Sequence, residues 1–225
     1  MTIPSDRSSA APSTAELDRR SRLARSRLYL VLDARPHGED PRPLLDAALR
    51  GGVDVVQLRE KVLEDNALVA AAGQFRAACE EHGALFVLND RPDLVEACGA
   101  DGVHVGRSDT PVARARSLIG ANRLLGLSVS TPGELGDVGG ADYVGVTAFT
   151  TPTKEDAVAG GLGLLRAAAE ALTVPWFAIG GIDLSNVAEV AGAGAPGIAV
   201  VRAIRDAGDP EAAARMLRSA LDRQQ

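Results

Sequence analysis

The sequence predicts an α/β chain folded as a single (β/α)8 TIM barrel, and three observations carry that prediction. Eight short runs of β-forming residues alternate with Ala-rich amphipathic segments, the order that builds parallel strands joined by crossover helices. Most of the β runs are continuously apolar, as strands are when both faces are covered. The polar residues that do occur gather at the strand exits, which in a parallel barrel form one functional face. A doubly wound open sheet is the main rival. Against it, the first strand exits as LDARPHGED, with no GxGxxG.

Taken in order, residues 1–13 are rich in Ser, Pro and Ala and are expected to be disordered. TAELDRRSRLARS (14–26) suits a helix opened by Ser13 or Thr14, and residues 1–26 are read together as a short, solvated, flexible N-terminal arm. The barrel domain is expected over 27–225, at the lower edge of the usual size for this fold. RLYLVLD (27–33) is its first strand, followed by a helix over 42–50. VDVVQLRE (53–60) precedes a helix over 66–82. LFVLND (85–90) runs into DRP, a helix-opening signal for 92–98, and GVHVG (102–106) into DTP, which opens 111–119. LLGLSVS (124–130) meets STP and a helix over 132–138. DYVGVTAF (142–149), VPWFAIGG (174–181) and GIAVVRAI (197–204) precede helices over 161–172, 185–193 and 210–222.

Composition narrows the function classes. Apolar residues make up 46% of the chain but aromatics only 3%, so the core must come from Ala, Val, Leu, Ile and Gly, which suits helices packed on strands better than a base-stacking surface. A net charge of −6 argues against nucleic acid or an anionic membrane as partner. It leaves room for a phosphorylated small molecule, because screening limits charge effects to about 8 Å and local charge decides binding. Cys79 and Cys98 lack CxxC spacing and read as core residues of a reducing cytoplasm. No apolar run approaches a membrane span and MTIPSDRSS lacks a secretory apolar region, so the expected location is cytoplasmic.

Side-chain alternation puts Val55, Gln57, Arg59 and Lys61 on one side of the second strand, so an amide, a guanidinium and an ammonium line up where something bulky and negative could sit. Asn89-Asp90 and Asp109 lie at or just beyond consecutive strand exits. Two carboxylates there suit Mg²⁺, which is held by one or two carboxylates, waters and substrate phosphate oxygens. The alternative is that Asp90 and Asp109 merely cap the helices that follow. TTPTKEDA (150–157) places hydroxyls and loop N–H groups beside Lys154, a point charge suited to a diphosphate, although an ordinary Thr/Pro loop would read the same. Ser128 and Ser130 close the fifth strand. Gly180 and Gly181 let backbone approach an anion after the seventh, unless they are simple packing glycines, and the loops after strands seven and eight are common phosphate sites. His104, mid-strand, is more simply a satisfied core histidine than a base; His37 and His82 read as surface residues and Trp176 as packing.

Five stretches then fall in a recognisable order: VQLREK, FVLNDRPDLVEACGADGVHVGRSD, LGLSVS, ADYVGV…TPTKEDA and FAIGGI. From Arg27 to the C-terminus the chain resembles the thiamine-phosphate synthase family. The resemblance implies an enzyme joining 4-amino-2-methyl-5-hydroxymethylpyrimidine diphosphate to 4-methyl-5-(2-hydroxyethyl)thiazole phosphate, with Mg²⁺-assisted loss of diphosphate and a pyrimidine-methyl cation. It implies that Gln57, Arg59, Lys61 and Asn89 bind the pyrimidine diphosphate, that Asp90 and Asp109 hold Mg²⁺, and that Ser128 and Lys154 also contact that substrate, Lys154 through its diphosphate. Arg59, Lys61, Ser128 and Lys154 are the implied catalytic set. Thr151, Thr153 and Gly181, with the backbone near Val201 and Arg202, would position the thiazole phosphate. Dimers are a reasonable expectation for such barrels. The chain departs from the family's common Gly-Pro at Thr147-Ala148, and from a common Ser at Arg202. Rival readings are a paralogue resembling thiazole tautomerase, a Schiff-base enzyme using Lys154, and a non-catalytic phosphate-ligand binder.

Overall fold

Eight strands pair in parallel in chain order, and the last closes on the first. They are β1 (Leu28–Leu32), β2 (Val55–Leu58), β3 (Leu85–Asn89), β4 (Gly102–Val105), β5 (Leu124–Val129), β6 (Tyr143–Thr147), β7 (Trp176–Ile179) and β8 (Ile198–Val200). This computed structural model describes residues 14–149 and 160–223. Around the barrel run α2 (Arg42–Arg50), α3 (Asp65–His82), α4 (Val112–Ile119), α5 (Gly161–Ala171), α6 (Val187–Gly192), a short α7 (Arg202–Arg205) and α8 (Pro210–Asp222), preceded by α1 (Thr14–Arg25).

The period-two pattern of the strands sorts two apolar layers. Leu28, Leu30, Leu32, Val56, Leu58, Val103, Leu125, Val144 and Ile198 face outward into a layer shared with the helices. Tyr29, Val31, Val55, Leu85, Val87, Leu124, Tyr143, Phe177 and Ala199 fill the barrel interior. That interior departs from the expected aliphatic core. Tyr29, Tyr143 and Phe177 meet there, with the Phe177 ring edge-on to both tyrosines at centroid distances of 5.3 and 6.0 Å.

Three expectations change. The helices expected over 92–98 and 132–138 reduce to 3-10 turns at Pro92–Leu94 and Pro132–Glu134. Seven residues scarcely outlast helix nucleation, and Gly133 and Gly136 weaken the second segment further. The run 197–204, expected as one strand, leaves the sheet after Val200 and turns into α7. The arm expected to be solvated is, over residues 19–25, docked on the N-terminal end of the barrel. Leu23 is 2% exposed within the interior cluster, Arg19 and Arg20 pair with Asp101 and Asp142 at 2.8 and 3.0 Å, and Arg22 donates to Gly83 O at 2.8 Å. The basic half of the helix matches acids on the barrel floor, a pairing that helix periodicity alone does not reveal.

Candidate active site

At the exit of β2, Arg59 N donates to Leu32 O at 2.7 Å, which carries strand register one residue past the sheet. Gln57 points inward and is buried. Glu60 stands between Arg59 and Lys61, yet its carboxylate turns to backbone, accepting from Lys61 N at 2.8 Å and Val62 N at 3.0 Å in its own loop and from Ala34 N at 3.4 Å after β1. Among the described residues, neither Arg59 nor Lys61 forms a salt bridge. The two cations of this strand end are therefore left available, while their neighbouring acid is consumed by backbone.

At the exit of β3 the backbone is strained. Asp90 has φ +58°, a left-handed conformation uncommon for residues other than Gly, which Asn and Asp adopt more readily than most. Its N–H donates to His104 O at 2.8 Å and its Oδ2 accepts from Asn89 Nδ2 at 2.5 Å. Burial raises the Asp90 carboxyl above the usual carboxylate range and the neighbouring Asp109 raises it further, while Asn89 and then Lys61 oppose the shift. Asp109 reaches back through Oδ2 to the N–H of Gly106 at 2.9 Å. A Cβ on Gly106 would lie 2.5 Å from that oxygen, so glycine is what lets the loop fold onto itself. Neither aspartate caps a helix: the caps are Arg91 and Pro111, without side-chain bonds. Two carboxylates thus face each other within electrostatic reach of Lys61. Among the described residues no group of three or more His, Cys, Asp or Glu assembles for a metal, so an ion here would draw on two protein carboxylates and on other oxygens.

Deeper in the barrel, a chain of polar side chains joins β2 to β5. Gln57 Nε2 donates to Tyr29 Oη at 2.8 Å, Tyr29 and Tyr143 hydroxyls are 3.1 Å apart, Tyr143 Oη lies 3.3 Å from His104 Nδ1, and His104 Nε2 lies 2.9 Å from Ser128 Oγ. Higher up, Ser130 Oγ and Thr147 Oγ1 are 3.1 Å apart. Thr147 is buried, and Ala148 N donates to Ile179 O at 2.7 Å, a bond that a proline at 148 would lack. Tyr29 and Tyr143 are not singled out by the sequence pattern, and Thr147 stands out there only as part of the departure from Gly-Pro. The available signal was Gly126, a glycine amid the apolar run of β5, since such a glycine often marks a close approach by another group.

After β7, Gly180 (φ +103°) and Gly181 (φ +61°) turn the chain, and a Cβ on Gly180 would sit 2.4 Å from Phe149 O. Gly180 is required by backbone contact and conformation together. Gly181 is exposed, and its carbonyl accepts from Asn186 Nδ2 at 2.9 Å. Val201 leads into α7, whose first turn leaves N–H groups without intrahelical partners. Arg202 is exposed. The Asp183 carboxyl is held low mainly by the Ser185 hydroxyl and N–H, with Arg202 adding to the effect. Thr151, Thr153 and Lys154 lie outside the described residues.

A family model described as thiamine monophosphate synthase matches residues 28–204, from the first strand to α7. The chain belongs to that family. It is 43% identical to the thiamine-phosphate synthase of Arthrobacter sp., across 89% of this chain and 96% of that protein. It is 45% identical to the thiamine-phosphate synthase of Nostoc sp. over 89% of this chain, and spans only 57% of that relative's length. Among solved structures, thiamine phosphate pyrophosphorylase from Pyrococcus furiosus superposes with a TM-score of 0.81 at 34% identity, covering 90% of this chain and 98% of that one. The match to this thiamine monophosphate synthase family spans every strand that supplies the mouth described above.

Proposed function

We propose that this protein is a thiamine-phosphate synthase, a transferase that joins 4-amino-2-methyl-5-hydroxymethylpyrimidine diphosphate to 4-methyl-5-(2-hydroxyethyl)thiazole phosphate and releases diphosphate. The observation that carries this reading is the carboxylate pair at the barrel mouth: Asp90, in a left-handed turn and bound by Asn89 at 2.5 Å, stands beside Asp109, folded back on Gly106 at 2.9 Å, with Lys61 close enough to act on the pair. Opposed charges kept so close at one barrel end suit a bridged polyanion better than they suit a floor built for stability.

In this reading Arg59, Lys61 and Lys154 hold the diphosphate and stabilise the charge that concentrates on it as the C–O bond breaks, more strongly in the transition state than in the ground state. Asn89 adds a donor beside them. Asp90 and Asp109 fit Mg²⁺, since a cation relieves the repulsion between them; when bound, it supplies charge neutralisation for the departing diphosphate. Gln57 and Ser128 hold the aminopyrimidine ring at the floor of the mouth. Thr151, Thr153, Gly181 and the backbone at Val201 and Arg202 hold the thiazole phosphate, with its ring nitrogen turned to the pyrimidine methylene carbon. Closing out water protects the pyrimidine-methyl cation from hydrolysis until the C–N bond forms. The catalytic domain is the barrel from Arg27 onward, working as a cytoplasmic homodimer on small molecules, with no nucleic acid or membrane partner. No helix among the described residues is long and apolar enough to cross a membrane.

The test incubates purified protein with both heterocycles and follows thiamine phosphate by mass, with EDTA and then with restored Mg²⁺. Product that vanishes with EDTA and returns with Mg²⁺ is the expected result. Ligand retention without diphosphate release would instead mark a phosphate-binding barrel.

A further inference from the structure

From the side chains that connect Gln57 to Ser128, we infer that Tyr29, Tyr143 and His104 form a directional hydrogen-bond relay inside the barrel. The relay fixes which donor and acceptor atoms Gln57 and Ser128 present to the aminopyrimidine, so these three are specificity-positioning residues. This rests on the proposed contact of Gln57 and Ser128 with that ring.

The direction follows from proton counting. Gln57 Nε2 can only donate, so Tyr29 Oη accepts at 2.8 Å and keeps its own proton for Tyr143 Oη at 3.1 Å. Tyr143 Oη–H donates to His104 Nδ1 at 3.3 Å, which places the ring hydrogen on Nε2, facing Ser128 Oγ at 2.9 Å. Ser128 then has its O–H left to donate, and Gln57 has its carbonyl oxygen and a second N–H. That pair of amide atoms complements an exocyclic amino group beside a ring nitrogen. Turning the Gln57 amide over would reverse every proton in the chain, so no member can change polarity alone.

Packing keeps the relay dry and in register. Gln57, Tyr29 and Tyr143 are 4%, 3% and 1% exposed, so water cannot substitute for a missing member. A Cβ on Gly126 would fall 2.2 Å from the Tyr143 ring and 2.4 Å from His104 Nδ1, so β5 gives up a side chain to let tyrosine and histidine meet. Phe177 holds both tyrosine rings edge-on, at interplanar angles of 82° and 86°. Burial also raises both phenols, which keeps the hydroxyls protonated as the relay needs.

The experiment compares kcat/KM for the 4-aminopyrimidine diphosphate with that for its 4-deamino analogue. A site built to hydrogen-bond an amino group rejects the analogue by several orders of magnitude. Tyr29→Phe and Tyr143→Phe should each lower that ratio at least tenfold, with the double variant no worse than the more affected single one. An unchanged ratio, with both substrates slowed alike, would reduce the three residues to packing and overturn the inference. Gln57→Ala separates the two levels. If it leaves the ratio intact, the proposed ring contact fails; if it collapses the ratio while the tyrosine variants do not, the relay alone fails. Should the variants not fold, ¹⁵N spectra of the native protein decide between a neutral Nε2–H ring at His104, which is expected, and an Nδ1–H or doubly protonated ring, which contradicts the relay.

Discussion

The carboxylates at the two ends of the barrel keep different company. At the N-terminal end, Asp54, Asp101 and Asp142 stand just before β2, β4 and β6, and each accepts an N–H from the neighbouring strand: Leu28, Phe86 and Leu125, at 3.0, 3.0 and 2.8 Å. Each is also closed by arginine: Arg218 on Asp54 at 2.7 Å, Arg19 on Asp101 at 2.8 Å, and Arg20 and Arg116 on Asp142 at 3.0 and 2.5 Å. At the C-terminal end, Asp90 meets Asp109, and among the described residues neither Arg59 nor Lys61 forms a salt bridge, while Arg91, next to Asp90 in the chain, is spent on Asp65 and Asp93 at 2.8 and 2.7 Å. The same residue types are spent on folding at one end and kept in reserve at the other. Charge left uncompensated by the fold is the mark of a site, and charge matched twice over is the mark of a joint.

This contrast can be broken by substitution. The largest effect is expected at the mouth: Lys154→Ala should lower turnover by about 10²–10³, the scale of losing one preorganised electrostatic group, while leaving the unfolding midpoint unchanged. Steady-state rates and a urea curve on one preparation check both halves, and near-normal turnover would remove Lys154 from the mechanism. Next comes the floor. Leu23→Ala should cost about 2–4 kcal/mol by emptying a buried site, with turnover per folded molecule intact; an effect near zero would return the N-terminal helix to the status of a loose arm. The smallest effect is expected from Arg20→Ala, about 0.5–1 kcal/mol, because that guanidinium is more than a third exposed and Asp142 keeps Arg116. A larger loss in the urea curve would mean that the two arginines act as one network.

How much of this could be read from the chain alone differs between the same two ends. Strand count, parallel order and the face holding Gln57, Arg59, Asn89, Asp90 and Ser128 were legible, because period two and apolar runs are local signals that all point one way. The docking of α1 was not, since Arg19 and Arg20 find acids more than eighty residues away. Nor was the fate of Glu60, which could as well have neutralised Arg59 as turned to backbone N–H groups. The tyrosine–histidine chain was illegible for another reason: His104 looks like any strand histidine until Tyr143 is placed over Gly126. The sequence also holds only two lysines, Lys61 and Lys154, against many arginines, and both fall in the proposed diphosphate site. Arginine serves the joints here, as its planar fork suits fixed carboxylates, whereas lysine is a compact, movable point charge.

The most direct test sets Asp90→Asn beside Asp142→Asn, reading turnover and denaturant midpoint for each at neutral pH in metal-free buffer and with Mg²⁺. Because the folded state raises the Asp90 carboxyl, its protonated form adds stability that is full below the unfolded value and lost as pH rises through the folded one. At neutral pH the native carboxylate is therefore a small burden, and Asp90→Asn should hold or slightly raise the metal-free midpoint while cutting turnover about a hundredfold or more. Asp142→Asn should do the reverse, losing about 2 kcal/mol through a weakened N–H bond and two arginines left without their anion, with turnover per folded molecule unchanged. Two variants that lose stability equally, or an Asp90→Asn enzyme working at the native rate, would contradict the division of labour between the barrel's ends.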